Sequence, residues 1–345
     1  MVLAVEWLDS PRPMIRLIDQ TRLPEAEVML EVTTVDALVD AISTLAVRGA
    51  PALGAVGALG VVVAMLQAET EGWDEATLAA QVDRVRDARP TAVNLAWGVD
   101  RVRPAIPMGV AAVLAEARAL IAEDGAANRE LSRLGADWIL ARTGKERVRV
   151  VTHCNTGALA TTAWGTAYGI IHELHDRGAL EMVYADETRP LLQGARLTSW
   201  ELTQDGIDHV VQVDGAASST ILRGLVDVAI IGADRITANG DTANKVGSVA
   251  LALACRRAGI PFVVAAPFST VDLGTPTGAE IVIEERDPTE VTAFGGRRTA
   301  PPEAIGFNPA FDVTPHDLIS AVVTERGVVE PATTPHPELL ARIAG

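Results

Sequence analysis

Cysteine is scarce in this chain: Cys154 and Cys255 are the only two in 345 residues. Two thiols cannot build the disulfide framework of a small secreted fold or an all-cysteine zinc site. Cationic residues are also in the minority, with 29 Lys and Arg against 45 Asp and Glu and a net charge of −16. Nucleic-acid binding draws its affinity from clustered cations, and an anionic membrane surface repels such a chain, so neither partner is expected. The opening MVLAVEWLDSP lacks the basic n-region and small-residue cleavage site of a secretory signal. It also lacks the Arg/Ser bias of a transit peptide, which makes the cytoplasm the expected location. The longest uncharged apolar run, residues 50–66 (APALGAVGALGVVVAML), stops short of the ~20 residues a membrane span needs. It reads as a buried helix with Pro51 in its first turn and glycines that allow close packing. There is no GxxxxGK[ST] and no strand-linked GxGxxG, so neither a P-loop nor a dinucleotide fingerprint is present. The six histidines include HELH at 172–175, which is not HExxH and has no third ligand near it, so no metal is expected.

Hydrophobic residues make up 48% of the chain and charged residues 21%, a globular composition. The length suggests about two domains at ~150 residues each. The texture changes near residue 147. Before it, candidate strands at 3–8, 13–18 and 27–31 are followed by a helix through Val47, capped by Thr33 or Thr34. Further helical patterns follow at 51–68, 74–88, 92–102 and 109–142. After it, apolar β-branched runs at 148–152, 181–185, 209–213, 226–232 and 261–266 alternate with helical patterns at 157–176, 190–203, 216–224 and 245–258. Continuous apolar strands separated by helices imply a parallel sheet covered on both faces. The expected architecture is α/β: a mainly helical N-terminal domain over 1–146, then a doubly wound, Rossmann-like domain over 147–345.

In open α/β sheets ligands bind beyond the carboxyl ends of the strands. Those ends carry His153, Cys154 and Asn155; Asp186, Glu187, Thr188 and Arg189; Asp214; Asp234 and Arg235; and Pro267. Cys154, in THCNTGALATT, lies between a strand and a helix expected to begin near Gly157, where N–H groups would stabilise a thiolate. Cys255, inside ALACRR, reads as structural. Asp234 follows the wholly apolar VAIIGA, and a carboxyl desolvated at such a rim would suit a general acid. Three segments could anchor a phosphate: Arg48, Gly49 and Ala50 at the helix start, Arg89 before Pro90, and Asn244 with Lys245 at another helix start.

Five segments in order, RGAPALG (48–54), RPTAVNL (89–95), THCNTGALAT (152–161), ETRPLLQGARLTSWEL (187–202) and GADRITANGDTANKVGS (232–248), resemble the methylthioribose-1-phosphate isomerases. NPAFDVTP at 308–315 fits as well. That family shares its superfamily with the regulatory subunits of the guanine-nucleotide exchange factor of translation initiation. The resemblance implies an aldose–ketose isomerase of methionine salvage, a homodimer without metal or nucleotide cofactor, acting on a sugar phosphate. It implies Cys154 and Asp234 as the catalytic pair, with substrate held by Arg48, Gly49, Ala50, Arg89, Gln193, Asn244 and Lys245. Two stretches depart from the family's pattern. Gly215-Ala216-Ala217 stands where Asn-Met-Ala is expected, and Ala96 and Gly98 stand where bulkier residues are expected. Rival readings are an isomerase of 5-deoxyribose 1-phosphate or ribose 1,5-bisphosphate, and a non-catalytic regulatory subunit.

Overall fold

The computed structural model describes residues 3–90, 93–332 and 340. They form two compact units, one of residues up to Asn128 together with Thr156–Gly165, the other of Arg129–Asn155 and the residues from Thr166 onward. Residues 129–146 thus pack with the second unit, and the short stretch after the first Rossmann strand packs with the first.

The first unit begins with an antiparallel meander of β1 (Val5–Leu8), β2 (Met14–Ile18) and β3 (Met29–Val32). Helices α1 (Val35–Ser43), α2 (Ala50–Glu71), α3 (Glu75–Arg86) and α4 (Val93–Val102) follow. Thr34 caps α1 by accepting the Ala37 N–H at 3.3 Å, one of the two caps expected. That helix ends at Ser43, before the expected Val47. In α2, residues 52–65 are all buried, so the apolar run is a core helix. Among the described residues it is the one helix long and apolar enough to cross a membrane, and 78% of its most apolar window is buried inside the protein. Its glycines let α4 come into backbone contact: a β-carbon on Gly98 would lie 2.0 Å from the Gly54 carbonyl oxygen. The small residue at 98 is therefore required by helix packing.

The long helix α5 (Val110–Thr143) runs through the boundary between the units. The second unit contains β4 (Val148–Thr152), α6 (Ala167–Asp176), β5 (Leu180–Asp186), α7 (Ser199–Gln204), β6 (His209–Gln212), α8 (Ala217–Leu222) and β7 (Val228–Ile231). A hairpin of β8 (Arg235–Thr237) and β9 (Thr242–Lys245) precedes α9 (Ser248–Ala258) and β10 (Phe262–Ala265). The remaining strands are β11 (Val271–Asp272), the ribbon β12–β13 (Ala293–Phe294, Arg297–Arg298), β14 (Phe311–Thr314), β15 (Ala321–Thr324) and β16 (Gly327–Val329).

Among the described residues the main sheet has the order β16-β15-β10-β7-β4-β5-β6, parallel throughout except for β16. The chain starts in the middle at β4, winds outward to β6, then returns to β7 and winds the other way, which is the doubly wound topology expected. Side chains alternate between two cores. Val148, Val150, Val228, Ile230 and Val263 pack with α6 and residues 131–139 on one face. Val151, Ala229, Ile231 and Val264 pack with α8 and α9 on the other. Burial on both faces explains why these strands read as continuous apolar runs.

Several element expectations shift. The helix expected from 157 starts at Ala167. The one expected from 190 opens with a π-helical turn, Gly194–Thr198. The one expected from 245 starts at Ser248. The small sheet β11-β8-β9-β14 was not anticipated, because its strands are two to four residues long and rich in polar residues.

Candidate functional site

The switch point of the sheet lies between β4 and β7, where the winding reverses and the carboxyl ends of neighbouring strands open a crevice. Cys154 lies two residues beyond the end of β4, and Asp234 three residues beyond β7. The two candidate catalytic residues therefore leave the two strands that flank the crevice.

Cys154 is 6% exposed and has φ 64°. Because no helix begins at 157, its local environment is not a helix N-terminus. Side chains hold its peptide instead: its N–H donates to Thr188 Oγ1 at 2.8 Å, and its carbonyl accepts from Thr198 Oγ1 at 2.6 Å. Cys255 is fully buried in α9, and burial pushes its thiol up to about 12, as suits a structural residue.

His153, which precedes Cys154, is 1% exposed and uses both ring nitrogens. Nδ1 lies 3.0 Å from Asp186 Oδ2, and Nε2 lies 2.9 Å from the Val246 carbonyl. A carbonyl only accepts, so Nε2 carries a proton. Burial opposes charge on the imidazole, but the hydrogen bond and charge of Asp186 prevail and raise its pKa. His153, Asp186 and Asp214 bring their ligand atoms within 4.8 Å of one another, a composition that could hold a metal ion. In this structure the three side chains are committed to hydrogen bonds. Both imidazole nitrogens are engaged, and Asp214 accepts the Thr188 and Arg189 N–H groups, each at 2.7 Å. The cluster works as a hydrogen-bonded frame under Cys154.

Asp234 is exposed, so the folded chain alone does not supply the desolvation expected of it. Its N–H donates to the Ala243 carbonyl at 2.9 Å, which sets it across the hairpin from the end of β9. Asn244 and Lys245 belong to that strand rather than to a helix start, and both are buried. Asn244 Nδ2 donates to Ser248 Oγ at 2.9 Å. Lys245 Nζ donates to the Ala310 carbonyl at 2.8 Å and lies 4.5 Å from the centre of the Phe311 ring. The His153–Val246 hydrogen bond ties this strand to the Cys154 turn. Gln193 is 4% exposed, and its Oε1 is buried without a hydrogen-bond partner, an acceptor left for a hydroxyl or other donor. Cys154, Gln193, Asp234, Asn244 and Lys245 thus all belong to the second unit.

Arg48, Gly49, Ala50 and Arg89 belong to the first unit. Gly49 caps α2 at φ 98°, and a β-carbon there would fall 2.2 Å from the Ala160 carbonyl oxygen. Pro51 has no N–H, and the Ala52 N–H reaches that same carbonyl at 3.3 Å. The anion-binding capacity of this helix start therefore rests on the N–H groups of Gly49 and Ala50. Arg48 and Arg89 are half-buried. Thr91 and Ala92 of the RPTAVNL segment lie outside the described residues, as does His336.

Sequence reasoning placed Thr188 and Asp214 at the strand ends without a role and missed Thr198. Two of them stand in the quoted segment 187–202, but nothing in the spacing shows that their hydroxyls grip the cysteine peptide.

Residues 46–331 match the Initiation factor 2 subunit family. The chain is 54% identical over 328 residues to a probable bifunctional methylthioribose-1-phosphate isomerase/methylthioribulose-1-phosphate dehydratase of Nocardia farcinica, covering 95% of this chain but 59% of that relative's length. It is 46% identical to the methylthioribose-1-phosphate isomerase of Desulforudis audaxviator, covering 99% of this chain and 97% of the relative. Two solved structures are similar over their whole length. One is the 5-methylthioribose 1-phosphate isomerase of Pyrococcus horikoshii, with TM-score 0.88 and 36% identity, covering 100% of this chain and 96% of that one. The other is described as the translation initiation factor eIF-2B, subunit delta, of A. fulgidus, with TM-score 0.85 and 39% identity, covering 99% and 100%.

Proposed function

Because the chain belongs to the initiation factor 2 subunit family and, within it, to the methylthioribose-1-phosphate isomerases, we infer that it converts 5-methylthioribose 1-phosphate to 5-methylthioribulose 1-phosphate. The observation that carries this reading is the placement of Cys154 and Asp234 at the ends of the two strands that flank the switch point. The chain spans 59% of the length of the Nocardia relative, whose name also carries a dehydratase activity.

An ordinary aldose isomerase acts on the open-chain aldehyde. Here the anomeric oxygen carries the phosphate, so the ring cannot open by itself. Asp234 acts as general acid, delivering a proton to the ring oxygen as its bond to C1 breaks. It is exposed in the folded chain, so the desolvation that suits a general acid has to come with the bound sugar. Hydrogen then moves from C2 to C1, the C2 hydroxyl gives up its proton, and that proton restores Asp234, so the isomerisation balances. In one route Cys154 removes the C2 proton and returns it to C1 through an enol. In the other a hydride passes directly, and Cys154 shapes the site. Retention of C2 deuterium in a single turnover rules out a freely exchanging base, and its rapid loss to solvent rules out the hydride shift.

The phosphate would be held by Arg48, the Gly49 and Ala50 N–H groups, and Arg89; the sugar hydroxyls by Gln193, Asn244 and Lys245. A cytoplasmic homodimer with no nucleic-acid or membrane partner completes the proposal, and sedimentation equilibrium at twice the chain mass tests the dimer. The likeness to the A. fulgidus structure favours a second reading, a non-catalytic subunit, but that role gives no use to a buried thiol and a carboxyl at the ends of two neighbouring strands. For the catalytic pair, Cys154→Ala and Asp234→Asn are each expected to lower kcat by about 10²–10⁴-fold in folded protein. Wild-type kcat in either variant would remove that residue from the chemistry.

A further inference from the structure

The Cys154 residue is held in a conformation that its own backbone does not favour. A positive φ crowds the β-carbon of a non-glycine residue, so something must hold it there. Two buried threonines meet the cysteine from either side, 0% exposed at Thr188 and 1% at Thr198. Thr188 Oγ1 accepts the Cys154 N–H at 2.8 Å, while its own hydroxyl proton goes to the Asp186 carbonyl at 3.0 Å. The hydroxyl is thereby oriented with a lone pair toward the cysteine. Thr188 also has a positive φ, 64°, and Asp214 fixes that turn by taking the Thr188 and Arg189 N–H groups at 2.7 Å each. On the other side, Thr198 Oγ1 donates to the Cys154 carbonyl at 2.6 Å and accepts from Asn155 Nδ2 at 3.3 Å. Thr198 closes the π-helical turn Gly194–Thr198, a geometry that re-aims one side chain relative to a regular helix. That turn sits hard on the Thr188 loop. A β-carbon on Gly194 would lie 1.7 Å from the Asp186 carbonyl oxygen and 2.9 Å from Thr188 Oγ1.

We propose that Thr188 and Thr198 are positioning residues that clamp the Cys154 peptide in its left-handed conformation and so set the direction of the thiol in the crevice, with Asp214 as the anchor of the clamp. The proposal rests on the reading of Cys154 as a catalytic residue. Relaxation of φ to its ordinary negative range would swing the Cα–Cβ bond away from its present direction. Valine is the discriminating substitution, because it keeps the shape of threonine and removes only the hydroxyl. It takes away the hydrogen bond that the threonine makes to the Cys154 N–H or carbonyl.

The test compares Thr188→Val, Thr198→Val, Thr188→Ser, Thr198→Ser and Cys154→Ala on full-length protein with 5-methylthioribose 1-phosphate, with circular dichroism as the control for folding. Each valine variant is expected to lose at least 30-fold in kcat per folded molecule with KM within threefold, and each serine variant to stay within threefold of wild type. A merely structural role would lower the melting temperature and leave kcat per folded molecule unchanged, and that result overturns the proposal if Cys154→Ala is inactive. Wild-type turnover by Cys154→Ala would overturn the catalytic reading and the clamp with it. Should one valine variant not fold, the other and the serine pair decide the question.

Discussion

Single side chains in this protein show how burial and partners set chemistry. Gln193 keeps a buried carbonyl oxygen without a partner, a costly arrangement that a bound sugar would relieve. Gln193→Leu is expected to raise KM about tenfold, equivalent to ~1.4 kcal/mol of lost binding, with a smaller effect on kcat. An unchanged KM in steady-state assays would show that the oxygen faces something other than substrate. Asp227 behaves differently. Burial alone would raise its pKa, but Arg149 and Lys145 donate to it and hold it down to about 2. A carboxyl whose folded pKa is depressed contributes stability above its unfolded pKa and loses it as pH falls through the folded one. Urea midpoints of the wild-type protein should therefore fall between pH 3.8 and about 2, and Asp227→Asn should flatten that segment of the curve. An identical slope in the variant would show that other carboxylates govern the acid limb. The strand-end positions of Cys154 and Asp234 were legible in the sequence because the strands before them are continuous apolar runs. The environment of Cys154 was not, since a threonine 34 residues away in sequence supplies the partner that a helix end was expected to supply.

At the scale of elements, long regular patterns were readable and short or irregular ones were not. The central strands announced themselves because both faces are buried, and α2 because residues 52–65 are all core. The π-helical turn, the irregular stretch 157–166 and the small sheet of β8, β9, β11 and β14 have no periodic signature, since tertiary contacts decide them. Close approach of α2 and α4 gives the sharpest test at this scale. A β-carbon on Gly98 meets backbone at 2.0 Å, which no rotamer can relieve, so Gly98→Ala must push the helices apart. It is expected to cost ~1–3 kcal/mol in urea unfolding. A variant as stable as wild type would show that the contact is slack.

For the whole molecule, the doubly wound sheet and the family follow from several independent observations, and the substrate follows from the family and the site together. A net charge of −16 makes a basic nucleic-acid surface unexpected for this chain. The fold alone does not choose between an isomerase and a translation-factor subunit, because solved structures described as each resemble it with TM-scores of 0.88 and 0.85. The choice lies in the crevice, and turnover decides it. The measurement is phosphorus NMR of the purified protein with 5-methylthioribose 1-phosphate, beside 5-deoxyribose 1-phosphate and ribose 1,5-bisphosphate. The predicted result is conversion of the methylthio sugar to a ketose phosphate with the highest kcat/KM of the three. One apolar substituent discriminates by only ~1–3 kcal/mol, so some turnover of the deoxy sugar is expected beside it. Folded protein that converts none of the three sugars would contradict the isomerase assignment.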